Sequence, residues 1–292
     1  MKKIYGVSTA LVTPFKNGEI DFEAFENLLQ YQIKGGIESV LLAGTTGEAP
    51  NLSREERIAL IKSAKRFCGD KLFIIAGVGS NNTKTSIEYA EDAALAGADA
   101  LLAVTPYYNK PNDEGMFRHF EAIANSVELP LILYNVPSRT GIELSYDVIE
   151  RLSKVKNVVA LKEASANIER FSDIRVRCKI SILSGNDSLA LPSFALGAVG
   201  VISVVSNVTP IQMRAIWDSF CKRDTEGALA EHIKLLPLMR ALFVETNPIP
   251  VKAALSMMGL CSDEVRLPLF PASTTTRKQL ESPLKAWGLI KC

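Results

Sequence analysis

Histidine is almost missing from this chain: His119 and His232 are the only two in 292 residues. Each sits in a helix-like polar/apolar pattern, where a histidine reads as a packing or surface side chain. Two isolated imidazoles do not make the ligand cluster a zinc site needs, so no metal is expected. Cysteine is sparse as well. Cys68, Cys178, Cys221, Cys261 and Cys292 are an odd number, widely spaced and without a Cys-x-x-Cys, which predicts reduced thiols in a cytosol. No apolar run reaches the roughly 18 residues of a membrane span. Met1-Lys2-Lys3 passes almost at once into Tyr5-Gly6-Val7-Ser8-Thr9, with no apolar core of a signal peptide. The expectation is a soluble, cytoplasmic protein with no membrane partner. Neither sign of charge is in surplus: 33 basic against 32 acidic residues give a formal net charge of +1, which argues against nucleic acid or anionic lipid as a partner. The nucleotide-binding patterns Gly-x-Gly-x-x-Gly and Walker A are also absent, and no cofactor is expected.

What the chain does have is a regular alternation of short apolar runs and amphipathic stretches, in a composition that is 47% hydrophobic. Strands are predicted at Val7 to Val12, Ile37 to Ala43, Leu72 to Gly77, Ala100 to Val104, Leu131 to Asn135, a run containing Lys162, Ser181 to Ser184, and Val201 to Val205. Helical spacing covers Asp21 to Lys34, Ser53 to about Cys68, Asn82 to Leu95, Asp113 to Ser126, Ser145 to Ser153, about Asn167 to Cys178, Leu189 to Leu196, and Pro210 to Lys222. Asp21 is a plausible N-cap, and Ser53-Arg54-Glu55-Glu56 is a capping box. Eight strand–helix units with short turns indicate a parallel sheet with crossover helices, and eight is the number that closes a barrel. A weak repeat supports this: Gly36, Gly97 and Gly197 each join a helix end to the next strand, as helix-capping glycines do. The fold class is α/β, a (β/α)8 TIM barrel over residues 1–225. Residues 226–292 form a C-terminal helical appendage broken by Pro248, Pro250, Pro268, Pro271 and Pro283.

In such a barrel the site lies at the C-terminal ends of the strands. There the sequence is polar in a coherent way. One stretch organises the rest: Val158-Val159-Ala160-Leu161-Lys162-Glu163-Ala164 puts a lysine at the end of an apolar run. Alternation places Lys162 on the face of Ala160 and Val158. Burial of an unpaired ammonium is costly and is relieved by a depressed pKa, which leaves a free amine, a nucleophile for carbonyl carbon. The competing readings are a solvated Lys162 or one paired with a carboxylate such as Glu163. Other strands end in Gly44-Thr45-Thr46-Gly47-Glu48, in Tyr107-Tyr108, and in Tyr134-Asn135-Val136-Pro137-Ser138-Arg139-Thr140-Gly141. Thr45 and Thr46 offer hydroxyls and amides to a carboxylate. Taken singly, each has an ordinary structural explanation: a Gly-rich turn, a core tyrosine, a solvated loop arginine.

Taken together, in this order and spacing, the three motifs at 44–48, 134–141 and 161–164 resemble the dihydrodipicolinate synthases, within the pyruvate-dependent class I aldolases that include N-acetylneuraminate lyase. The resemblance covers nearly the whole chain. It implies the barrel fold, a metal-free lyase of the diaminopimelate branch of lysine biosynthesis, and a homotetramer built from tight dimers. The implied substrates are pyruvate and L-aspartate 4-semialdehyde. Carried over by position, it makes Lys162 the Schiff-base lysine. Tyr134, Thr45 and Tyr108 become a proton relay in which Tyr108 reaches into the partner's site. Arg139 meets the carboxylate of the aldehyde substrate, Thr46 meets the carboxylate of pyruvate, and Gly185 and Ile202 line the lysine's pocket with backbone carbonyls. At the positions where lysine-inhibited members bind their effector, Asn81 and Tyr107 are kept. Ala49, Arg54, Arg57 and Thr85 replace serine, two histidines and a glutamate, which predicts weak or absent inhibition by the cationic effector.

Two rivals remain. A lyase cleaving a sugar acid, N-acetylneuraminate or a 2-keto-3-deoxy acid, would use the same lysine and tyrosine, but Thr46 and Arg139 do not fit the sialic-acid pattern. A non-catalytic pyruvate-binding protein on a degenerate barrel would not need Lys162, Tyr134, Thr45 and Tyr108 all intact.

Overall fold

The computed structural model describes residues 4–291. The N-terminal Met1, Lys2 and Lys3 and the fifth cysteine, Cys292, lie outside the described residues. Eight parallel strands close into a barrel: β1 (Gly6–Ala10), β2 (Ser39–Leu42), β3 (Phe73–Gly77), β4 (Ala100–Val104), β5 (Leu131–Asn135), β6 (Val158–Glu163), β7 (Ser181–Ser184) and β8 (Gly200–Ser203). Each strand pairs with its neighbours in sequence, and β1 closes the ring by pairing with both β2 and β8. The crossovers are helices α1 (Phe22–Lys34), α2 (Arg54–Cys68), α3 (Thr83–Ala96), α4 (Asp113–Ser126), α5 (Tyr146–Leu152), α6 (Glu169–Arg177), α7 (Ala190–Ala195) and α8 (Pro210–Cys221). Three more helices follow: α9 (Thr225–Ala241), α10 (Ile249–Met257) and α11 (Thr274–Ala286). No helix among the described residues is long and apolar enough to cross a membrane.

Local chemistry sets these elements. Asp21 caps α1 by accepting from Ala24 N at 3.0 Å, and Ser53 and Glu56 form the expected reciprocal box at the start of α2. Gly36, Gly97 and Gly197 sit at φ of +74°, +93° and +89°, a region that costs a side-chain-bearing residue energy, so the repeat marks three matching left-handed joints. The core has two layers. A small one inside the barrel includes Leu41, Ile75, Leu102, Ile132, Tyr134, Ala160, Leu183 and Ile202. A larger one lies between the sheet and the helices. Both histidines are buried, as packing side chains. His119 bonds Thr83 through Nδ1 at 2.9 Å, and burial lowers its pKa to about 4.

Several expectations are corrected. β1, β2 and β8 are shorter than their apolar runs because the chain leaves the ladder early. Ala43 takes φ +50°, and the residues after β8 form a 3₁₀ turn whose Asn207 donates to Ala10 O at 2.8 Å. The alternation through β6 is interrupted: Leu131 pairs with Val158 but Ile132 with Ala160, leaving Val159 as the extra residue. Val158 therefore packs in the outer layer and does not share a face with Ala160 and Lys162. The turn after Pro137 that carries Arg139 is a single helical turn, Pro137–Thr140. Pro283 does not break the C-terminal segment but lies inside α11.

Candidate active site

The register between β5 and β6 builds the centre of the site. Tyr134 lies opposite Lys162, and Asn135 opposite Glu163. Because neighbouring residues on a strand face opposite ways, the first pair enters the barrel and the second faces the helices. Glu163, 2% exposed, accepts from both Asn135 Nδ2 and Arg170 Nε, the latter at 3.1 Å. Its carboxylate is committed to Arg170 of α6 on the far side of the wall. Lys162 is thus neither solvated nor paired with Glu163: it is 5% exposed, with Nζ 4.4 Å from the centroid of the Tyr134 ring. Burial drives its amine down from the usual 10.5 to about 8, against the attraction of Asp187 and with the help of the Arg139 charge. An appreciable fraction is unprotonated at neutral pH, as a carbonyl nucleophile requires.

Burial also raises the Tyr134 phenol above its usual value, while the Arg139 charge and the Thr45 hydroxyl pull it partly back. Thr45, Tyr134 and Arg139 line one cavity of about 400 Å³, which continues outward past Tyr107, Arg57 and Tyr89. Lys162 does not line that cavity, and Tyr134 touches both it and the lysine. Thr46 is buried and accepts from Asn247 Nδ2 at 2.9 Å, which leaves its hydroxyl proton for a ligand. Arg139 Nη2 donates to Asn247 O at 3.3 Å. Gly185 lies so close to the lysine that a Cβ there would come within 3.0 Å of Lys162 Cε. Ile202 belongs to the apolar cluster inside the barrel.

Tyr108 is the one relay candidate not brought to this centre. It is 89% exposed, at φ +68°, in a loop fixed by Asn109 Nδ2 donating to Asn81 O at 2.8 Å. Of the effector positions, Tyr107 lines the large cavity with Arg57. Arg57 is held by the carbonyls of Gly77 and Ala49 and stacks on Tyr89 at 4.3 Å. Arg54 is engaged through two bonds to Asp92, a carboxylate outside the positions compared in sequence.

Two contributors were not found from sequence. Asn247, far along the chain, is tied to Thr46 and Arg139 only by the way the C-terminal segment folds back. Asp187 lies two residues beyond Gly185, at the end of β7. Its place just past a strand end is the signal that marks it.

A closed parallel barrel carrying a buried lysine amid hydroxyls at the C-terminal ends of its strands has the make-up of the class I aldolases. The chain belongs to the dihydrodipicolinate synthetase family, whose model matches residues 3–287. It is 46% identical over 287 residues to a 4-hydroxy-tetrahydrodipicolinate synthase of Hydrogenobaculum sp. (strain Y04AAS1), covering 98% of this chain and 99% of that protein. It is also 46% identical over 286 residues to one from Methanocaldococcus jannaschii, with the same coverage. Among solved structures, the dihydrodipicolinate synthase of Aquifex aeolicus superposes with a TM-score of 0.96 at 42% identity, over 98% of this chain and 99% of that one.

Proposed function

We propose that the protein condenses pyruvate with L-aspartate 4-semialdehyde to give 4-hydroxy-2,3,4,5-tetrahydrodipicolinate, the committed reaction toward diaminopimelate and lysine. The observation that carries this reading is the buried Lys162 amine, lowered to about 8, against the ring of Tyr134 in a chain of this family. The Lys162 amine adds to the ketone of pyruvate, and loss of water leaves a protonated imine. That imine withdraws electrons, so the methyl group gives up a proton and becomes an enamine, which attacks the aldehyde carbon. The adduct's own amine then closes the ring and releases Lys162.

Tyr134 exchanges protons with the reacting atoms, connected through Thr45 to a Tyr108 supplied by a second copy of the chain. The outward-pointing Tyr108 and the shared wall of Thr45 and Tyr134 support this division of labour. Thr46 binds the pyruvate carboxylate and Arg139 the carboxylate of the aldehyde, where a planar guanidinium can engage two oxygens. The carbonyls of Gly185 and Ile202 line the lysine's pocket. The working form is a tight dimer, paired again into a tetramer, in the cytoplasm. The C-terminal segment, residues 226–292, works with the barrel through Asn247. Sugar-acid cleavage is the rival reading, and Thr46 and Arg139 speak for the amino-acid aldehyde instead.

Borohydride reduction in the presence of pyruvate tests the imine. The peptide carrying Lys162 gains the mass of one reduced pyruvate; modification elsewhere, or none, contradicts the assignment.

A further inference from the structure

Asp187 is a buried carboxylate that the reaction described above does not use. It is 3% exposed, and its Oδ2 accepts from the amides of Val204 and Val205 at 3.0 and 2.9 Å. Those amides lie just past β8, so the carboxylate bridges the ends of β7 and β8 at the rim where Lys162 emerges. Gly185, two residues earlier, already touches the lysine stem. Oδ1 is buried and finds no hydrogen-bond partner among the described residues. A buried carboxylate oxygen left in this state is costly unless a positive charge lies nearby.

The surroundings are few and can be named. The Val204 and Val205 amides bond Asp187, the Ser203 hydroxyl and the charge of Lys162 on β6 favour its ionised form, and Arg240 of α9 lines with it a cavity of about 310 Å³. Facing Lys162 are the Tyr134 ring, its centroid 4.4 Å from Nζ, then Asp187 and, with the opposite effect, Arg139. Among the described residues, Asp187 is the carboxylate whose attraction raises the lysine pKa. Burial pushes the Asp187 carboxyl up, while the Ser203 hydroxyl, the two amides and the Lys162 charge pull it back and hold the carboxylate in place.

We propose that Asp187 is a positioning residue for the lysine: a fixed counter-charge that stabilises the cationic nitrogen of Lys162, first as ammonium and then as the protonated imine with pyruvate. This rests on the imine reading of Lys162. No atom passes to Asp187. The amine adds to the ketone, the ketone oxygen leaves as water with one proton from the nitrogen and one delivered through Tyr134, and the nitrogen keeps its other proton and a full positive charge. That charge must survive in a buried site until the methyl proton has left. Asp187 keeps the imine protonated, and so electron-withdrawing, without taking the lysine proton itself.

The test is Asp187→Asn, which keeps shape and can still accept from both amides. The rate of borohydride-trappable adduct formation with pyruvate is measured against pH, beside kcat with both substrates. Loss of the counter-charge lowers the lysine pKa, so the acid midpoint of adduct formation moves down from about 8 by roughly half a unit or more, while kcat falls about tenfold or more. A midpoint that stays where it is overturns the proposal, whether or not kcat falls, because a structural defect alone would not move it. The reciprocal measurement guards against a variant that does not fold. In Lys162→Ala, the Asp187 carboxyl followed by carbon-13 NMR titrates at a higher pH than in the parent protein, and an unchanged titration overturns the proposal. An adduct absent from the parent protein would instead remove the imine reading on which the proposal stands.

Discussion

Asn247 donates its side-chain amide to Thr46 Oγ1 at 2.9 Å across 201 positions of sequence. Its carbonyl receives Arg139 Nη2 at 3.3 Å, so one residue of the C-terminal segment fixes two groups proposed to hold the two substrate carboxylates. Removing the side chain frees the Thr46 hydroxyl to turn away from a ligand. Asn247→Ala is expected to raise KM for pyruvate about tenfold, the effect of one lost hydrogen bond of roughly 1–1.5 kcal/mol. Steady-state kinetics with pyruvate varied check this, and an unchanged KM would separate Asn247 from pyruvate binding.

The exposed Tyr108 gives a complementation test. If it serves the partner's site, a Lys162→Ala chain paired with a Tyr108→Phe chain contains one site with both residues intact. Each variant alone is expected to be severely impaired, and mixing them under conditions that exchange subunits restores part of the activity. If mixtures never exceed their parents, Tyr108 does not act across an interface.

The lysine amine, lowered to about 8, sets the pH dependence of its attack on pyruvate. The ammonium form prevails below that value and is not a nucleophile, so kcat/KM for pyruvate falls about tenfold per pH unit on the acid side. Arg139 contributes to the lowering. Arg139→Gln therefore moves the acid limb to higher pH, the opposite direction to Asp187→Asn. A pH–rate profile of the variant that coincides with the parent's would show that the guanidinium does not act on the lysine.

Inhibition by lysine is expected to be weak or absent. Where a cationic effector would lie, the cavity presents the Arg57 guanidinium beside Tyr107, and the nearby Asp92 is already taken by Arg54. Turnover measured with rising lysine should show no complete inhibition below millimolar concentration. Full inhibition in that range contradicts the electrostatic reasoning.

How far the sequence reached can be judged residue by residue. The barrel was legible because strand and helix periods alternate without long insertions, and Gly36, Gly97 and Gly197 repeat the same joint. Lys162 was legible because a cation at the end of an apolar run must be explained. Its relation to Glu163 was open until the register showed the two on opposite sides of the wall. The extra Val159 could not be read, since a bulge depends on what the neighbouring strand offers. Asn247 was illegible for a different reason. Its contacts to Thr46 and Arg139 arise from chain return over a long separation, which no local pattern encodes. The motif positions Thr45, Tyr134 and Arg139 were found as strand-end polar residues, but only folding shows that they share one cavity.

Lys162 is proposed to carry the condensation of pyruvate with L-aspartate 4-semialdehyde. Its most direct measurement is product formation from these two substrates, coupled to the following reductase and read as NADPH oxidation, for the parent protein and Lys162→Ala side by side. The parent is expected to turn over and the variant to lose nearly all of that activity while still folded. Turnover that survives in Lys162→Ala contradicts the imine mechanism. A parent that forms the pyruvate adduct yet gives no product with this aldehyde would contradict the substrate and point to a sugar acid.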